Sequence, residues 1–151
     1  MGKPLIELPY LLDFYPLEDS TQTRIHPFFE NLRKGDLTTT RCKGCGAVLW
    51  QPRVVCPKCN GDEMEWISLP KEGTLFAFTE VRAAAPLGME KDVPFVVGLV
   101  ELKGADIKLI SRIDGARYED LSIGDPVKLK VLTLEDGRVF YRFVPSAPAH
   151  R

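Results

Sequence analysis

Cys42-Lys-Gly-Cys45 and, ten residues later, Cys56-Pro-Lys-Cys59 contain every cysteine of this 151-residue chain. A Cys-x2-Cys turn aims two thiolates at one point, and two such turns complete a tetrahedral four-sulfur site. Gly44, Gly46 and Pro57 supply the turn geometry that lets backbone amides face the sulfurs. Arg41, Lys43, Arg53 and Lys58 lie close in sequence. They either offset the net negative charge of a four-thiolate centre or are ordinary surface charges, and spacing does not decide between these. Disulfides suit an intracellular chain poorly, and a redox-active pair belongs at the start of a helix in a thioredoxin-like fold, which nothing here suggests. A tetrahedral four-sulfur site suits both zinc and iron. The expectation is structural Zn2+ held by Cys42, Cys45, Cys56 and Cys59, because four sulfurs leave no open position for water or substrate. Such binding contributes on the order of 10 kcal/mol to folding of a small ribbon.

Outward from the cysteines, the pattern is mostly β. Upstream, His26-Pro27-Phe28-Phe29-Glu30-Asn31-Leu32-Arg33-Lys34-Gly35 reads as a short helix with apolar positions at 28, 29 and 32 and a glycine stop. A strand is expected at 38–41. Downstream of Gly73, segments 74–82, 95–102, 107–113, 127–134 and 139–144 are rich in branched and aromatic residues. Gly98 interrupts the second of these, where a bulge could bend a barrel strand. Asp136-Gly137 signals a tight hairpin turn, and a helical turn is expected at 118–121 between the third and fourth strands. Five strands with a helix there is the topology of a five-stranded OB-fold barrel. The expected organisation is an N-terminal arm (1–25), a helix (26–36), the zinc ribbon (37–70), the OB-fold domain (71–145) and a tail (146–151).

The arm carries Leu5, Ile6, Leu8, Tyr10, Leu11, Leu12, Phe14, Tyr15 and Leu17, all needing cover from water. It packs across its own domains or docks on another chain. Glu7, Asp13 and prolines at 4, 9 and 16 interrupt it, so it lacks the apolar run of an export signal. No stretch approaches the roughly 20 apolar residues of a membrane span. A cytoplasmic location is expected.

Composition argues against a phosphate-neutralising protein. Lys plus Arg total 20 and Asp plus Glu 21, for a net charge of −1, whereas nucleic-acid binding usually brings a clear basic excess. Catalytic signatures are also missing: there is no nucleophile elbow, phosphate-binding loop or dinucleotide fingerprint. The two histidines, His26 and His150, flank a helix and end the tail respectively. The adjacent acids Glu119-Asp120 and Glu135-Asp136 point apart rather than pairing. No independent active site is expected.

The Pro-Phe-Phe helix from His26, Arg41-Cys-Lys-Gly-Cys-Gly46, Gln51-Pro-Arg53, Cys56-Pro-Lys-Cys59 and the strand start Gly73-Thr-Leu-Phe-Ala-Phe-Thr79 together resemble the DUF35 family over about residues 26–144. The resemblance implies a rubredoxin-like zinc ribbon joined to an OB-fold and an association with acyl-CoA enzymes. Family members accompany thiolase-like proteins, including an archaeal complex linking thiolase to hydroxymethylglutaryl-CoA synthase, thiolases of anaerobic aromatic degradation, and hydratases or aldolases of steroid side-chain breakdown. In such complexes the catalytic residues belong to the partner.

By that resemblance the chain is expected to be a non-catalytic accessory subunit in a hetero-oligomer. It would stabilise a thiolase-like, hydratase or aldolase partner and shape its acyl-CoA site. A CoA thioester is then a candidate ligand at the loop 83–92, with Arg82 just before it and Lys91 within it as phosphate contacts; the alternative is an ordinary barrel loop. The rival from another class is a nucleic-acid-binding module, since OB barrels bind single strands through exposed aromatics in a basic groove. Phe76, Phe78, Phe95, Phe140, Tyr141 and Phe143 are present, but strand aromatics more often belong to a core. A second rival is a rubredoxin-type electron carrier, which would leave the barrel without a purpose.

Overall fold

The computed structural model describes residues 19–86 and 89–147. The arm up to residue 18, residues 87 and 88 of the loop, and the tail from residue 148, including His150, lie outside the described residues.

The described residues open on a turn at Asp19, whose carbonyl accepts the amides of Gln22 and Thr23, and then enter α1 (His26–Arg33). Pro27 sits in the first turn, where its missing N–H costs nothing. Phe28, Phe29 and Leu32 form the buried stripe. Gly35, at φ +79°, ends the helix as expected: its amide reaches Leu32 O, and the amide of Asp36 reaches back to Asn31 O.

Three short antiparallel strands make the ribbon: β1 (Thr38–Cys42) in the centre, β2 (Val48–Leu49) on one side and β3 (Met64–Ser68) on the other. Thr38, Thr39 and Thr40 are all buried. Their branched side chains favour the strand, and their hydroxyls find partners so that burial is not penalised. Thr40 Oγ1 donates to Arg53 O and accepts from Arg53 N (2.9 and 2.8 Å), while Thr39 Oγ1 donates to Leu49 O. These bonds clamp the 49–53 segment onto β1.

The rest is a closed barrel of β4 (Glu72–Val81), β5 (Phe95–Leu102), β6 (Lys108–Ile113), β7 (Pro126–Thr133) and β8 (Val139–Pro145), in the order β4-β5-β6-β8-β7. All pairings are antiparallel except β6 with β8. A 3-10 turn at Tyr118–Asp120 links β6 to β7, which completes the expected OB arrangement. Leu75, Val100, Leu109, Val127 and Phe143 fill the barrel and are continuous with Phe28, Phe29 and Leu32 of α1, so helix and barrel share one core.

One local expectation is corrected. The register shift lies on β4, between Leu75 and Ala77, not at Gly98. Gly98 serves packing instead: a Cβ there would stand 2.7 Å from Leu75 Cδ1 and 2.9 Å from Ile113 Cγ1. The tight hairpin expected at Asp136-Gly137 joins β7 to β8 through three residues, closing through Leu134 N to Arg138 O (2.8 Å) with Gly137 at φ +87°. The three-residue loop with a left-handed glycine is the next commonest hairpin solution. It also receives α1, because Arg33 Nη2 donates to Gly137 O at 2.8 Å.

Candidate metal centre and adjoining groove

Each cysteine pair sits on a knuckle of the same construction. In the first, Gly46 N donates to Cys42 O and Cys42 N to Ala47 O; in the second, Asn60 N donates to Cys56 O and Cys56 N to Gly61 O. Corresponding positions, Gly46 (φ 74°) and Asn60 (φ 59°), are left-handed, a conformation open to glycine and tolerated by asparagine.

The knuckles face one another so that all four sulfurs lie within 4.8 Å. Cys42 Sγ is 3.5 Å from Cys59 Sγ, and Cys45 Sγ is 3.6 Å from Cys56 Sγ. Disulfide sulfurs would be about 2 Å apart. Four sulfurs placed about 2.3 Å from one ion stand about 3.8 Å from each other, close to the spacing found. Cys42 and Cys56 are buried, whereas Cys45 and Cys59 reach the surface.

Electrostatics give the same picture. Burial works against a Cys56 thiolate, but the amides of Cys59 and Lys58 outweigh it and bring this thiol down to about 7. For Cys59 the Gly61 amide favours ionisation, yet the neighbouring Cys42 and Cys45 sulfurs, together with burial, push it up to about 12. Four thiolates at this spacing need a cation between them. Arg41 does not serve the sulfurs, because its guanidinium pairs with Glu65 across the sheet at 2.7 Å.

Behind the ribbon lies a groove of about 760 Å³, walled by the 22–25 turn, α1, the 50–54 segment and β8. Phe28, Trp50 and Tyr141 line it as an edge-to-face cluster with centroids 5.6–6.4 Å apart. Sequence reasoning missed this groove. Its walls come from three distant stretches, and the only signal was their shared aromatic content.

Most of the residues considered for chemistry are engaged by charged neighbours. His26 Nε2 stands 3.5 Å from Glu30, Glu119 and Asp120 both pair with Arg117, and Asp136 pairs with the fully buried Arg138. Arg82 lies at the mouth of the β4–β5 loop with its side chain 77% exposed and its Nε bonded to Glu80. Lys91 is exposed on the same loop. That loop is folded by Met89 N to Pro86 O and Asp92 N to Met89 O, and Asp92 ties it to Arg112 at 2.5 Å.

The strand aromatics divide between core and surface. Phe95 and Phe143 are buried, and Arg112 also covers the Phe95 ring. Exposed Phe76 carries Lys108 Nζ 4.8 Å over its face, and Phe78 packs on Tyr118. Those ring faces are therefore occupied, which leaves them poor platforms for stacking nucleic-acid bases. No helix among the described residues is long and apolar enough to cross a membrane.

Paired knuckles on a three-stranded sheet, preceded by a helix and followed by a closed five-stranded barrel, define a zinc-ribbon and OB-fold protein. Family models agree in both halves: the ChsH2 rubredoxin-like zinc ribbon domain matches residues 29–65 and the ChsH2 C-terminal OB-fold domain residues 66–132. The chain belongs to the DUF35 family. It is 30% identical over 115 residues to a DUF35 domain-containing scaffold protein of Methanothermobacter thermautotrophicus, spanning 72% of this chain and 84% of that one. A Methanocaldococcus jannaschii protein of the same description is 36% identical over 94 residues, covering 61% of this chain and 64% of the relative. The benzoylsuccinyl-CoA thiolase subunit BbsA of Thauera aromatica is 30% identical over 98 residues, 65% of each chain. The chain thus spans just under two thirds of two of these relatives. Among solved structures, the Ltp2-ChsH2(DUF35) aldolase superposes with a TM-score of 0.71 at 24% identity, covering 83% of this chain and 97% of that one, which attests the fold.

Proposed function

We propose that this chain is a non-catalytic, zinc-holding accessory subunit of an acyl-CoA-processing enzyme, in the first instance a thiolase, that stabilises its partner and shapes the acyl-CoA site. The observation that carries this reading is the similarity to a thiolase subunit, BbsA, over 98 residues. The DUF35 relatives described as scaffold proteins support the same division of labour.

Cys42, Cys45, Cys56 and Cys59 hold the zinc, which supplies rigidity rather than chemistry, since no coordination position stays open. On this reading the partner covers the outer face of β4, β5 and β6. There Ala77, Leu99 and Ile110 stand side by side in register, with Ile110 66% exposed and Phe76 48% exposed beside them. Exposed apolar surface of this kind, rimmed by the Lys108–Glu101 and Arg112–Asp92 ion pairs, is the usual composition of an interface. Arg82 and Lys91, on the loop at one end of that face, take the phosphates of the CoA thioester.

The test is a pull-down of the tagged chain from its native cell extract, with mass spectrometry of the partners and metal analysis of the eluate. The expected result is a thiolase-like or related acyl-CoA enzyme with about one zinc per chain, and no acyl-CoA turnover by the chain alone. Turnover by the isolated chain, or recovery of nucleic acid in place of an enzyme, would overturn the reading.

A further inference from the structure

The four sulfurs are not equivalent. Cys42 and Cys56, the first of each knuckle, are buried, whereas Cys45 and Cys59, the second of each, are exposed. Each exposed sulfur lies against a buried sulfur of the opposite knuckle: Cys59 Sγ is 3.5 Å from Cys42 Sγ, and Cys45 Sγ is 3.6 Å from Cys56 Sγ. Lys43 and Lys58, each between the two thiols of its knuckle in sequence, are also exposed. Reactive cysteines characteristically lie in such electropositive, partly exposed surroundings.

A thiolate is the form of cysteine that both binds a metal and attacks an oxidant. A centre with all its sulfurs buried would be closed to peroxide, but here Cys45 and Cys59 are open to it. Attack of the Cys45 thiolate on one peroxide oxygen breaks the O–O bond, expels hydroxide and leaves a sulfenic acid on Cys45. The Cys56 thiolate, 3.6 Å away, then attacks that sulfur: the S–S bond forms, the S–O bond breaks and a second hydroxide leaves. Cys59 and Cys42 react in the same way. In sum four thiolates give four electrons to two peroxide molecules, which become four hydroxide ions, and the chain releases the ion whose ligands have been consumed. Each pair has to close by about 1.5 Å to reach bonding distance.

We propose that the metal centre is a redox-modification site at which a peroxide-class oxidant exchanges zinc for two disulfides that cross between the knuckles, Cys42–Cys59 and Cys45–Cys56. The proposal rests on the reading that these four thiolates hold zinc. Crossed pairing has a structural consequence that bonding within each Cys-x2-Cys turn would not have. It ties residues 17 and 11 positions apart and keeps the tip closed without metal, whereas links inside a turn leave the knuckles free to separate. The oxidised ribbon therefore outlasts its metal and is refilled by reduction in the presence of zinc.

Trypsin reads the pairing, because cleavage after Arg41, Lys43, Arg53 and Lys58 leaves each cysteine on its own peptide: 42–43, 44–53, 54–58 and 59–71. The isolated full-length chain, reduced and assayed for about one zinc per chain, is treated with about two equivalents of hydrogen peroxide, blocked with N-ethylmaleimide and digested. The expected result is release of the zinc to a colorimetric chelator, loss of all four free thiols, and linkage of 42–43 with 59–71 and of 44–53 with 54–58. Dimedone, which traps sulfenic acid, should label Cys45 and Cys59 about ten-fold more than Cys42 and Cys56. In hydrogen exchange the amides of Gly46 and Asn60 should be about ten-fold or more slower in the oxidised, metal-free chain than in the reduced chain stripped by a chelator. Linkage of 42–43 with 44–53, or between two copies of the chain, would overturn the crossed pairing. Zinc retained after peroxide would overturn attack through the exposed sulfurs, and equal exchange in the two metal-free forms would overturn the bracing role. A reduced chain that carries no zinc would instead remove the metal reading on which the proposal stands.

Discussion

Replacing the two surface cysteines, Cys45→Ser together with Cys59→Ser, separates the metal from the packing. Both thiols are exposed, so a hydroxyl at either place leaves the interior unaltered, and the change acts on the ligand set alone. Between residues 43 and 68 Cys56 is the only buried residue, so the knuckles have no apolar core of their own. A structural zinc is worth about 10 kcal/mol, comparable with the roughly 5–15 kcal/mol that holds a whole domain together. Losing it should melt the ribbon tip. The barrel should survive, because its core of Leu75, Val100, Leu109, Val127 and Phe143 is closed by its own ladder and contains no residue of the knuckles. Hydrogen exchange reads this directly. In the variant the amides of Cys42, Gly46, Cys56 and Asn60, each bonded across a knuckle, should exchange at rates near those of unfolded chain, while amides of the β4–β5 and β7–β8 ladders stay protected. Knuckle amides that stay protected would refute metal-dependent folding of the ribbon. Simultaneous loss of barrel protection would refute the separation of the two units.

Further tests concern the barrel and the surface reading. Gly73→Ala should destabilise more than Gly98→Ala in urea unfolding, because the new Cβ at 73 stands 2.4 Å from the backbone oxygen of Glu101, whereas at 98 it meets side-chain tips; overpacking of this kind costs about 1–3 kcal/mol. Asp136 is held below its ordinary carboxylate value because, although burial opposes it, the Arg138 amide and guanidinium stabilise the charge. A depressed carboxylate stabilises the fold above its unfolded pKa of about 3.9, and that stability is lost as pH falls through the lower folded value. Asp136→Asn should therefore cost about 2 kcal/mol at neutral pH and flatten the acid limb of the stability curve below pH 4, as followed by circular dichroism. In the reconstituted enzyme complex, Arg82→Glu with Lys91→Glu should raise KM for the acyl-CoA several-fold with kcat unchanged, since exposed pairs are worth about 1 kcal/mol or less each. An unaltered KM would remove these two residues from the CoA site. Ile110→Glu should weaken partner capture without changing zinc content, and undiminished capture would move the interface off the β4–β6 face.

What could be read from the chain in advance divides along the range of the interactions involved. The metal centre was legible because its geometry is local: two residues between thiols make a knuckle wherever it occurs, and the four cysteines leave only one way to converge. The barrel strands were legible from alternating apolar residues such as Val127, Leu129 and Val131, and their ends came within two residues of the structure. Gly98 was misread because glycine serves two physical needs in a strand, an extra residue's kink or the close approach of neighbours. Only the positions of Leu75 and Ile113 across the sheet distinguish them. The burial of the three threonines of β1 was not legible, since the carbonyls of Leu49 and Arg53 that accept from two of their hydroxyls arrive from a segment with little regular structure of its own. The groove shows the same limit more strongly. Phe28, Trp50 and Tyr141 are separated by 22 and 91 residues, and each alone reads as core.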